Sequence, residues 1–218
     1  GTGETFTNTG TVDLASNSQS FPSLLFNGTY SGGVNNMQYS RFVEGHDDGN
    51  GAWDLIGPPL DGMSISTFIT SNDDLADNPS NDDFGIGPFS NLSGWSTYAT
   101  SDVDFDNFSV GTGYQMATTA GATMAFTGTV PTSAQTSSVV NSHDNGGRRW
   151  NLVSNPFTSY VNANEDADGT DNFLSVNSGV IDTEYLAAYG YDADGTGYTA
   201  YGQDYNCLLY TSPSPRDS

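Results

Sequence analysis

Gly45-His-Asp-Asp-Gly-Asn-Gly-Ala-Trp53-Asp-Leu-Ile-Gly-Pro-Pro59 and Ser142-His-Asp-Asn-Gly-Gly-Arg-Arg-Trp150-Asn-Leu-Val-Ser-Asn-Pro156 lie over one another without a gap. His46 falls on His143 and Trp53 on Trp150, each pair 97 residues apart. Trp, Leu and Pro keep register with a His-Asp-x-Gly turn, so the two stretches read as copies of one unit. A second pair, Gly94-Trp-Ser-Thr-Tyr98 and Gly197-Tyr-Thr-Ala-Tyr201, stands 103 residues apart and implies a small insertion. A unit near 100 residues is too long for a solenoid rung and suits a small β-sandwich.

Working outward, Trp53 with Leu55 and Trp150 with Leu152 share one face of a strand by its period of two. The expectation is that each tryptophan centres the core of its unit. Residues Met37, Tyr39 and Val43 alternate with polar ones, as a half-buried strand does. Before them, short β-favouring bursts (Thr11–Leu14, Leu24–Phe26) alternate with Asn-Gly and Gly-Gly turn signals, which resembles the last rungs of a β-solenoid or a string of short hairpins. The predicted fold is all-β: tandem antiparallel sandwich units of jelly-roll or immunoglobulin-like type behind an N-terminal solenoid end. The expected divisions are 1–36 as the end of an upstream strand-rich region and 37–137 as the first repeat. The second repeat, truncated, covers 138–206, and 207–218 form a tail.

Composition fits this reading. The 218 residues are 35% hydrophobic and 12% aromatic, enough for a core, with 26 glycines to supply turns. Arg41, Arg148, Arg149 and Arg216 are the only cationic side chains besides the two histidines, and the net charge is −22. Such a surface repels phosphate backbones and anionic headgroups, so nucleic acid is excluded as an expected partner. No apolar run approaches the roughly 20 residues of a membrane-spanning helix, and membrane insertion is not expected. The chain opens in mid-pattern at Gly1, as an internal fragment would.

A family resemblance rests on an ordered set of motifs. W-x-L-[IV]-x-x-P is followed by an aromatic-rich hairpin, then Phe108-Ser-Val-Gly-Thr-Gly-Tyr114-Gln-Met116, Thr123-Met-Ala-Phe126-Thr-Gly-Thr129, and the second W-N-L-V-x-N-P. This order, over roughly Tyr39 to Tyr205, resembles large Bacteroidetes surface proteins exported by the type IX secretion system. In those proteins β modules stand upstream of a C-terminal sorting domain. The resemblance implies an extracellular or outer-surface location, with a polysaccharide or another surface protein as partner. It fixes no activity, because members include both adhesins and tails of hydrolases. The final twelve residues, Cys207-Leu-Leu-Tyr-Thr-Ser-Pro-Ser-Pro-Arg-Asp-Ser218, resemble translated read-through of a sequencing adapter. On that reading Cys207 carries no function and the tail shares no strand with the body.

The acidic loops are the sequence's candidate sites. Asn164-Glu-Asp166-Ala-Asp168-Gly169 sets oxygen ligands at alternate positions and a glycine at the turn, as in the first half of a calcium loop. Its twelfth position is Ser175 where a bidentate Glu would complete an EF-hand. The run Asp-Ala-Asp-Gly-Thr recurs at Asp192–Thr196, so Asp192 and Asp194 join Asn164, Asp166 and Asp168 as candidate calcium ligands; the bland alternative is a solvated turn. Asp73, Asp74, Asp77, Asp82 and Asp83 form a third acidic stretch. His46 and His143 read as turn residues, since no third histidine exists for a zinc site. The chain has no G-x-S-x-G elbow, H-E-x-x-H or P-loop, and Gly111-Thr-Gly113 lacks the third glycine of a dinucleotide fingerprint. The expected function is a non-catalytic structural or adhesive module of a secreted protein. The alternative is a carbohydrate-binding accessory domain of a secreted hydrolase, which an exposed aromatic platform would favour.

Overall fold

Strand β4 (Met37–Val43) turns Met37, Tyr39, Arg41 and Val43 to one buried face, and the rest of the fold is assembled around it. In the computed structural model, residues 3–33, 35–46, 53–99, 106–141, 150–192, 197–202 and 208–209 are described. β11 (Ala122–Gly128) lies antiparallel to β4 over seven residue pairs, and Met124 and Phe126 point to the same side. On its other edge β4 takes β2 (Val12–Leu14) in parallel. β1 (Thr5–Asn8) and β3 (Thr29–Gly32) also pair in parallel.

A second sheet runs in the order β5 (Asp54–Ile56), β10 (Tyr114–Met116), β8 (Ile86–Ser90), β9 (Gly94–Trp95), antiparallel throughout. Gly87 is required on β8 because a Cβ there would collide with the Ser96 carbonyl. Helix α1 (Ile65–Ser71) starts where Ser64 Oγ accepts the Thr67 N–H, an N-cap that satisfies one free helix donor. It buries Ile65 and Phe68, three residues apart on one face. Asn72 ends the helix by donating through Nδ2 to the Phe68 and Ala125 carbonyls, and its Oδ1 accepts the Ala125 N–H. The helix end is thereby tied to β11.

Side chains from both sheets and α1 meet in one cluster that includes Ile56, Phe68, Ile86, Phe108, Tyr114, Met116, Met124 and Phe126. Phe68 and Phe126 lie 4.8 Å apart by ring centroids, and Phe108 sits edge-on to both. A smaller cluster of Met37, Tyr39, Leu60 and Val130 packs under β2 and β3. The molecule is therefore mostly strands, in several sheets, with few and short helices, as the sequence led us to expect. Among the described residues no helix is long and apolar enough to cross a membrane.

The two tryptophans do not centre this core. Trp53 is half-buried and Trp150 is 51% exposed. The parity of β5 runs the other way from the expectation, with Asp54 and Ile56 buried and Leu55 half-buried. One step of register exchanges the faces of a strand, and here it turns Asp54 inward, where it shares the interior with the buried Arg41. Among its described residues, 150–156, the second copy of the motif forms no strand of its own. Val153 bridges Thr112, Gly113 N–H donates to the Leu152 carbonyl, and Ser154 N–H donates to the Gly111 carbonyl. Both copies thus attach to the single run from Gly111 to Met116, one after the other.

Beyond this point Thr158 is locked to the N-terminal region. Leu24 N–H donates to the Thr158 carbonyl at 2.8 Å, and Thr158 Oγ1 donates back to the Leu24 carbonyl at 2.7 Å. β12 (Val161–Asn162) leads through an acidic loop to the short helix α2 (Phe173–Val176). β13 (Ala187–Asp192) and β14 (Gly197–Gly202) form an antiparallel hairpin with Tyr191 opposite Tyr198. Against the expectation of a tail sharing no strand, β15 (Leu208–Leu209) pairs antiparallel with β12. A two-residue ladder needs only backbone donors and acceptors, so an open edge takes up residues of any origin. Cys207 and residues 210–218 lie outside the described residues.

Candidate functional site

The first candidate calcium loop is closed by its own hydrogen bonds. Asn164 is buried, and its carbonyl accepts the N–H groups of Ala167 and Asp168 at 3.2 Å each. Asp168 Oδ1 accepts the backbone N–H groups of Asp171 at 2.9 Å and Thr170 at 3.0 Å, and these donors hold its carboxyl below the usual carboxylate range. Asn172 Nδ2 donates to the Asp168 carbonyl, while Asn172 Oδ1 caps α2 through Ser175 N–H. Asp166 projects from the exposed side of the loop. The structure therefore brings Asn164 and Asp168 together through backbone groups and leaves Asp166 apart. Asp192 closes the β13–β14 ladder opposite Gly197, and Asp194 lies outside the described residues.

Among the described residues no three His, Cys, Asp or Glu side chains gather as a metal shell would require. Asp77–Asn78 (β6) pairs with Asp83–Phe84 (β7) as a small ladder, and Asp73 and Asp77 line a shallow cleft of about 190 Å³ with Asn72, Leu75, Phe84 and Thr119. Because Asp168 already has its donors, thermal unfolding with calcium and with chelator should give the same melting temperature. A calcium-dependent rise that disappears in an Asp166→Asn, Asp168→Asn double variant would place an ion in this loop.

A second constellation, not legible as a site from the sequence, is the pair Arg41 and Asp54. Arg41 is 1% exposed, and its Nε, Nη1 and Nη2 have no hydrogen-bond partner among the described residues. Its guanidinium carbon sits 3.3 Å from the centre of the Phe21 ring, a cation–π contact. Burial lowers its pKa to about 10, against smaller opposing effects of Tyr39, Asp54 and Tyr160. Asp54 Oδ2 accepts the Glu44 N–H at 2.8 Å, yet burial raises its carboxyl pKa to about 6. Two opposite charges thus share the interior without forming an ion pair.

The third constellation is aromatic and lies at the surface. Trp95 is 41% exposed on β9 and meets Phe89 of β8 edge-on, centroids 4.9 Å apart. Trp150 meets Tyr189 of β13 in the same manner at 4.8 Å. Asn91, buried in the turn between β8 and β9, donates its Nδ2 to the Trp150 carbonyl and so ties the second tryptophan to the hairpin that carries the first. Leu92 in that turn is also exposed. The sequence signal for this surface is Gly94-Trp95, which also marks the repeat. His46 stands exposed beside Trp53, ring centroids 5.8 Å apart; His143 lies outside the described residues.

Of the three, the acidic loop makes internal hydrogen bonds, the Arg41–Asp54 pair is buried, and the indole rings are exposed. Comparison with protein-family models, with curated proteins and with solved structures gives no match to this chain.

Proposed function

We propose that this chain is a non-catalytic adhesive module of an extracellular protein, and that it grips uncharged polysaccharide through Trp95 and Trp150. The observation that carries the proposal is the exposure of both indoles on elements joined by Asn91. Tryptophan offers a large rigid apolar face with a polar edge, which suits the apolar faces and hydroxyl rims of sugar rings. Exposed apolar groups gathered in one place mark interaction surfaces. The net charge of −22 selects against uronates and sulfated glycans, which leaves neutral chains as the fitting class.

The finer architecture belongs to the same proposal: two successive sandwich units behind a solenoid end, placed outside the cell by the type IX route that the motif order resembles. The same aromatic surface favours the second reading, an accessory domain of a secreted hydrolase. The two differ in whether the full polypeptide carries a catalytic domain, so the full-length gene separates them.

Binding is measured by calorimetry or affinity electrophoresis against a panel of neutral and anionic polysaccharides. Neutral chains should bind, and Trp95→Ala and Trp150→Ala should each weaken binding about tenfold or more, as loss of a central aromatic contact does. Binding that prefers anionic chains, or that survives in the double variant, would reject the assignment.

A further inference from the structure

We infer that the outer edge of β1 and β2 is the open end of a parallel coil, shaped to receive one more coil of the same plan from the polypeptide N-terminal to it. Thr5 pairs with Thr29 and Val12 with Met37, both in parallel, so the chain returns onto itself after 24 and then 25 residues. Two strands of one turn therefore stack on two strands of the next. Their contents match as well: Thr5-Phe6-Thr7 lies in register on Thr29-Tyr30-Ser31. Asn8 and Asn36 clasp the two turns, each donating its Nδ2 to the other's carbonyl. Gly28 admits the close approach, because a Cβ there would strike the Glu4 carbonyl.

An aromatic ladder runs along the stacking direction and stops at the outer turn. Phe6 lies stacked on Tyr30 with centroids 6.2 Å apart, and Phe26 meets both rings edge-on. Tyr30 and Phe26 are half-buried, whereas Phe6 is 46% exposed. Among the described residues β1 and β2 have a partner on one side only. Parallel strands are ordinarily covered, and stacked repeats expose their apolar interior and free backbone groups wherever a coil is missing. The step of 24 to 25 residues sets the register: the incoming strand places an aromatic, flanked by Thr or Ser, over Phe6. Val12 and Leu14, half-buried above the smaller cluster, receive its second strand.

The test uses the chain's own coil as the probe. In the full chain, residues 5–28 are duplicated in tandem ahead of Thr5, and a scrambled insert of equal composition is the control. Hydrogen exchange at Thr5–Asn8 and Val12–Leu14 should slow at least tenfold in the duplicate and not in the control. Phe6→Ser should then lower the melting temperature of the duplicate more than that of the parent. Unchanged exchange, equal protection by the scrambled insert, or trimming of the added residues by protease back to the parent start would each overturn the inference. A concentration-dependent dimer of the parent that itself protects β1 and β2 would overturn it too, assigning this edge to a second copy.

Discussion

Phe126→Ala should lower the stability of the chain by about 3–5 kcal/mol, whereas Trp150→Ala should change it by no more than about 1 kcal/mol. Phe126 is 1% exposed and touches both Phe68 and Phe108, so truncation removes an aromatic ring from a site walled by α1 and both sheets. Surrounding side chains relax only in part, and the lost transfer energy is joined by that of the cavity left behind. Trp150 has half its surface in water and loses chiefly one edge-on contact with Tyr189. Urea titration followed by tryptophan emission, with the slope unchanged between parent and Phe126→Ala, gives the difference directly. The reverse order of the two effects would restore the tryptophans as the nuclei of the fold.

The second large effect belongs to Asp54. Its carboxyl pKa, about 6 in the folded chain against an ordinary value of 3.8, means that the folded state favours the protonated acid. Stability from this group is fully present below about pH 4 and is lost as pH rises through 6. A shift of about two pKa units corresponds to about 3 kcal/mol, with the weak attraction of Arg41 already included in the net shift. Asp54→Asn keeps an acceptor for the Glu44 N–H and abolishes the charge. The variant should be about 2–3 kcal/mol more stable than the parent at pH 7.5 and about equal to it at pH 4. Repulsion among the exposed acids changes with pH in both proteins alike, so the difference between their denaturation curves isolates this one carboxyl. Equal stability of the two proteins at pH 7.5 would mean that Asp54 is ionised without penalty, and the account of the buried pair would fail.

Period and punctuation carried the class of the fold. The alternation of Met37, Tyr39 and Val43 and the β-favouring bursts between Asn-Gly and Gly-Gly are local patterns, and strands stand at each of those places except the apolar burst Leu24–Phe26. What escaped is non-local. The parity of β5 turns Asp54 inward and leaves Leu55 half-buried, and no local pattern announces this or the burial of Arg41. The repeat was legible as sequence, yet its second copy docks at Gly111–Gly113, because edge donors on the run into β10 remained open to it. The aromatic surface was hidden for the same reason. Gly94-Trp95 looks alike in sequence whether its ring turns inward or outward. In the acidic loop the sequence reports part of the geometry: Asp168-Gly-Thr-Asp-Asn172 favours a turn that uses the side-chain oxygen internally, and Asp168 Oδ1 accepts from Thr170 and Asp171.

Mechanical load gives the Leu24–Thr158 lock a further meaning. When the two ends of the chain are pulled apart, tension from the N-terminal side meets the β2–β4 ladder and then the two hydrogen bonds between Leu24 and Thr158. The two residues stand 134 positions apart, so while the lock holds, the second sheet and α1 sit in a loop that the pull does not straighten. If it parts and the loop unravels, the contour lengthens by about 450 Å at about 3.4 Å per residue. The stretch between Leu24 and Thr158 is thus a reserve of length whose release is set by two hydrogen bonds.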